Sequence, residues 1–133
     1  MTSDLQALFV NLAEQERIKG HHSPEGRAIR TLSRAVSGWS AKNLSTKDVW
    51  VLCDQAMEDW LKARLKLSGW STRTLEELAA MAVKQEWLTR AEAARLQKLR
   101  STRSRLHECA EKISVRNVKP LLEFCIQLVE KHW

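Results

Sequence analysis

Arg100, Arg103 and His107 stand three and four residues apart. On an α-helix that spacing brings them into one angular window of about 60°. These residue types suit phosphate chemistry. A guanidinium is planar, permanently charged and able to meet two phosphate oxygens at once. An imidazole titrates near neutrality and can give or take a proton, and two guanidinium groups beside it favour its neutral form. Such a set can grip a phosphodiester. In principle it can also cleave RNA without a metal: the 2′-hydroxyl loses its proton and attacks the adjacent phosphorus, while the arginines stabilise the charge that builds on the phosphorane-like transition state. That reaction needs both a base and an acid. One chain offers a single histidine here, so a two-fold pairing of helices would complete the site. A solvated cationic helix face is the alternative reading of the same residues.

The helix that must position them is marked by Leu99, Leu106, Ala110 and Ile113, which share an adjacent window of roughly 60° and form its core-facing stripe. The three candidates therefore border the buried side, whereas Arg105 points nearly the opposite way. Thr89-Arg90-Ala91-Glu92 is a capping box that opens this helix. Five more helices are legible. The first runs from about Asp4 to Lys19 behind Ser3, with Leu5, Leu8, Phe9 and Leu12 at helical spacing, and ends at Gly20. After His21-His22, a polar linker with no third metal ligand at a supporting spacing, Ser23-Pro24 starts the second; Ala28, Ile29, Leu32, Val36 and Trp39 form its apolar face, to about Ser40. Ser45 caps the third, in which Val49, Leu52, Cys53, Ala56 and Trp60 line up and the pattern continues through Leu67. Its polar residues change sign, with Asp54, Glu58 and Asp59 before Lys62, Arg64 and Lys66, and Glu58 and Lys62 pair at i,i+4. Thr74-Leu75-Glu76-Glu77 opens a short fourth helix with Leu75, Leu78, Ala79 and Ala82 inward. The last begins near Ser114 and turns Val118, Leu121, Leu122, Cys125, Leu128 and Val129 to the core. The expected fold is all-α, an antiparallel bundle of four to six helices in one domain over 1–133, made of an N-terminal hairpin (1–44) and a bundle (45–133).

Composition agrees with helices: two Pro, four Gly and no Tyr among 133 residues, with six Trp to supply bulk. Cys53, Cys109 and Cys125 match neither a zinc framework nor a redox pair and read as small buried hydrophobes. No signal peptide and no membrane-length apolar run is visible, so a reducing cytoplasm is the expected compartment. The net charge is +6, and residues 62–108 hold eleven Lys and Arg against five Asp and Glu. That concentration suggests a polyanion, nucleic acid before membrane. Phosphate-loop, zinc-protease, serine-hydrolase and Ca²⁺ or Mg²⁺ ligand patterns are missing, so no cofactor or metal is expected. A helical DNA-binding domain is the weaker choice, because no short turn followed by a polar recognition helix stands out.

Three segments, in this order, resemble the HEPN superfamily (higher eukaryotes and prokaryotes nucleotide-binding domain): Ala56-Met57-Glu58-Asp59-Trp60-Leu61-Lys62, Leu75-Glu76-Glu77-Leu78, and Leu99-Arg100-Ser101-Thr102-Arg103-Ser104-Arg105-Leu106-His107. The resemblance covers roughly residues 46 to 131. The family pattern is Arg, four to six residues, then His. Arg100 and His107 satisfy it with six between, while Arg103, with three between, stands where the family's Arg-Asn pair would fall. Ser101 or Ser104 takes the position that is usually Asn, Asp or His. The resemblance implies a homodimer with one composite site across the two-fold and an endoribonuclease that leaves a 2′,3′-cyclic phosphate, as in RNA-cleaving toxins and defence proteins. Arg100, Arg103 and His107 would be catalytic, and Ser104, Arg105 and Lys98 would contact RNA. Other members imply a non-catalytic adaptor or nucleotide-binding module that partners a toxin, an antitoxin or a nucleotidyltransferase. Glu58 and Lys62 read as structural.

Overall fold

The computed structural model describes residues 3–19, 23–67, 73–109 and 118–131; for 102–109 and parts of the first helix it describes the helix without its side chains. These residues form α1 (Ser3–Lys19), α2 (Pro24–Ser40), α3 (Thr46–Arg64), α4 (Leu75–Lys84), α5 (Arg90–Cys109) and α6 (Val118–Glu130), with no strand among them. The all-α bundle expected from the sequence is the fold observed.

Polar side chains start the helices where the sequence places them. The Ser23 hydroxyl accepts the Gly26 N–H at 2.9 Å. Ser45 and Asp48 exchange reciprocal bonds of 3.1 and 3.2 Å, and Thr89 and Glu92 do the same at 2.9 and 3.1 Å. Each satisfies a backbone N–H that the first helical turn leaves unpaired. Thr74 caps α4 by accepting the Glu77 N–H.

Three helix ends share one device. The N–H groups of Asn43, Leu67 and Trp87 reach back five residues to the carbonyls of Gly38, Lys62 and Ala82, each at 2.8 Å. The residue before each, Lys42, Lys66 or Glu86, has φ of 60°, 58° or 66°. This is the Schellman closure, and it satisfies carbonyls that would otherwise be orphaned. The left-handed conformation costs a non-glycine residue about 1 kcal/mol. It corrects one expectation: α3 stops at Arg64 rather than continuing through Leu67, because the left-handed turn at Lys66 ends the helix while Leu65 remains buried. At the end of α2, Leu44 folds back onto Gly38. A Cβ at that position would lie 2.5 Å from the Leu44 Cγ, so the close approach requires glycine.

One continuous core runs through all six helices. α3 is its axis: it packs against α2, α4, α5 and α6, while α1 packs against α2 and α6. The hairpin of α1 and α2 is thus part of the same core, with Leu12, Ala28, Ile29 and Leu32 fully buried. Inward stripes read from spacing are buried in α2, α3, α4 and α6, except that Trp39, Leu52 and Leu121 are only half-buried. The side chains of Leu5, Leu8 and Phe9, the His21-His22 linker, and the start of the last helix near Ser114 lie outside the described residues. No helix among the described residues is long and apolar enough to cross a membrane.

Candidate functional site

α5 carries the candidate residues, and its first three turns are pinned from two sides. Glu92 pairs with Lys131 at 3.5 Å. The Arg95 guanidinium lies over the Phe124 ring, 4.0 Å from its centroid, a cation–π contact. On the other side, Leu96 and Leu99 enter the core while Lys98 and Ser101 are exposed. Of the stripe expected for this helix, Leu99 is the member whose side chain is described, and it is buried.

Arg100 occupies that border. Its Nη1 donates to Oδ2 of Asp54 on α3 at 2.5 Å; the Asp54 side chain is 0 % exposed and that of Arg100 34 %. A buried carboxylate is costly without a cationic partner, so the guanidinium compensates Asp54 and is oriented by it. Two helices are joined at this point, and about a third of the Arg100 side chain still faces outward. Arg103, Ser104, Arg105 and His107 follow on the same helix, and their side chains, with those of Leu106 and Cys109, lie outside the described residues, as do Ala110 and Ile113 entirely. Lys98 is exposed with no ion-pair partner among the described residues.

Asp54 is the site residue that sequence reasoning missed. It was grouped with Glu58 and Asp59 as the acidic half of a surface pattern. The signal was available: Asp54 stands four residues after Trp50 and three before Met57, on the stripe where both neighbours are buried. Glu58 and Lys62 form the expected i,i+4 pair at 4.0 Å, nearly buried.

Several cations counted in the basic segment serve the fold. Arg64 pairs with Glu25 of α2 and lies 5.6 Å from the centroid of Trp87, joining the start of α2, the end of α3 and the turn after α4. Arg73 pairs with Glu77 at 3.6 Å. With Lys62, Arg95 and Arg100 also engaged, the charge available to a ligand from residues 62–108 is smaller than the count implies.

The two described cysteines, Cys53 on α3 and Cys125 on α6, are free and fully buried. Contact with Cys125, burial, and the adjacent carboxylate of Asp54 push the Cys53 thiol well above its ordinary range. It stays protonated and is no nucleophile, in keeping with the reading of these cysteines as core filler. The described residues hold no group of three or more His, Cys, Asp or Glu able to bind a metal ion. No protein-family model, no curated protein and no solved structure matches this chain.

Proposed function

We propose that this chain is a HEPN-like RNA-binding protein whose α5 face forms half of a metal-independent endoribonuclease site, completed by a second copy of the chain. The observation that carries the reading is Arg100: a guanidinium held in place by a buried carboxylate, partly exposed, at the start of the run that continues to Arg103 and His107. Preorganised charge of this kind stabilises a transition state because no reorientation is needed when the reaction occurs. Arg100 and Arg103 would clamp the phosphate, His107 would transfer the proton, and Lys98, Ser104 and Arg105 would follow the strand.

The Asp54 pairing also favours a second reading. A guanidinium whose charge is matched by Asp54 offers less to a phosphate, as suits a non-catalytic module that partners a toxin, an antitoxin or a nucleotidyltransferase. Incubation with single-stranded RNA in EDTA separates the two. The nuclease reading expects cleavage by wild type, ends in a 2′,3′-cyclic phosphate, no cleavage by His107→Ala, and a dimer in light scattering at micromolar concentration. Intact RNA with the wild-type protein, or equal cleavage by His107→Ala, removes the nuclease; a monomer removes the composite site.

A further inference from the structure

Among the described residues, a run of unpaired charge lies on the N-terminal half of the chain. Residues 26–47 contain five Lys and Arg and no Asp or Glu. All five, Arg27, Arg30, Arg34, Lys42 and Lys47, are exposed, and none has an ion-pair partner among the described residues. The nearest carboxylates on either side are engaged: Glu25 with Arg64, and Asp48 with the Ser45 N–H. Arg27, Arg30 and Arg34 share an angular window of about 60° on α2, opposite the buried Ala28, Ile29, Leu32, Ala35 and Val36. Like charges at i,i+3 and i,i+4 repel, so nothing among the described residues favours this arrangement.

We propose that the exposed face of α2 is a binding surface for the phosphate backbone of a nucleic-acid strand, with Arg27, Arg30 and Arg34 as its three phosphate contacts. From the first to the last of these the helix rises about 10 Å, close to three nucleotide steps along one strand. Arginine meets phosphate oxygens with a planar fork of donors, and hydroxyls such as that of the exposed Ser37 commonly add backbone contacts. A membrane surface fits less well. Among the described residues every exposed position of α2 is arginine or serine, and an interfacial helix needs an apolar face to insert. This surface is separate from the α5 candidate site and does not depend on cleavage there.

The test uses the full chain, labelled single-stranded RNA and duplex DNA, titrated across a range of salt in EDTA. Three proteins are compared: wild type, R27Q/R30Q/R34Q, and K66Q/K84Q/R90Q, which removes the same charge from exposed positions elsewhere. Glutamine retains helix propensity, so unchanged circular dichroism and Tm are expected. For RNA, loss of three phosphate contacts should lower the slope of log Kobs against log salt by about 2, which is roughly a 15-fold smaller loss of affinity between 50 and 200 mM salt. K66Q/K84Q/R90Q should change the slope by far less. A slope change with either nucleic acid supports the proposal, and the comparison assigns the strand form. Absence of wild-type binding to both, an unchanged slope in R27Q/R30Q/R34Q, or equal changes in the two variants overturns it. Arginine-dependent sedimentation with phosphatidylserine vesicles but not with nucleic acid also overturns it. RNA bound through these arginines but left intact sinks the nuclease at α5 while this surface stands.

Discussion

Arg100→Ala should lower the stability of the fold by about 3 kcal/mol, and Asp54→Asn by about 1 kcal/mol. The asymmetry follows from exposure. Without Arg100, the fully buried Asp54 carboxylate loses a charged hydrogen-bond donor and stays out of water. Without the Asp54 charge, the one-third-exposed guanidinium can be hydrated, and an asparagine carbonyl still accepts its hydrogen bond. Replacing both by apolar residues, as in D54L/R100M, should recover part of the loss, because the buried carboxylate that needed the guanidinium is gone. Guanidinium denaturation midpoints measure all three variants. Equal costs for the two single substitutions would show that the geometry of this pair does not set its energetics. The cleavage experiment is affected as well: activity lost in Arg100→Ala mixes chemistry with unfolding, so His107→Ala and the charge-preserving Arg100→Lys are the informative variants.

Trp60→Ala should cost about 4 kcal/mol. Among the described residues Trp60 is the largest fully buried side chain, and it lies on α3, the helix that touches four others. Truncation removes the transfer free energy of the indole and leaves a cavity that its close-packed surroundings only partly close. Against a total stability of about 5–15 kcal/mol for a domain of this kind, that is a large fraction. Thermal melts should show a Tm lower by about 10–15 °C. A fall of under about 5 °C would mean that the bundle collapses around the gap.

Helix number, order and inward faces were legible because they depend on local rules. Ser23 before Pro24, the Ser45–Asp48 box and the Thr89–Glu92 box each satisfy their own backbone within three residues. What the sequence concealed depends on neighbours distant in the chain. Asp54 belongs to Arg100, forty-six residues away, and Arg64 to Glu25, thirty-nine away; neither pairing has a local signature. Free and engaged cations also look alike in a sequence. The count over 62–108 includes cations that the fold engages with Glu25, Glu58, Glu77, Asp54 and Phe124. The α3 terminus was missed for a different reason. The i,i+4 spacing of Leu61 and Leu65 suits a continuing helix, and only the left-handed turn at Lys66, at a position where glycine is usual, ends it.

The packing order has a kinetic consequence. α1 through α5 each pack on the helix before or after them, whereas α6, which meets α5 through Arg95 over Phe124, packs mainly on α1, α2 and α3. Contacts between sequence neighbours form at small loop-closure cost, and those of α6 require the longest closures in the molecule. The transition state for folding is therefore expected to contain α2 and α3 docked, with α6 still loose. In stopped-flow chevrons, Leu122→Ala should speed unfolding and leave the folding rate nearly unchanged, while Met57→Ala should slow folding. α6 is the helix that sets how long the native state lasts, and α3 the one that sets how soon it is reached.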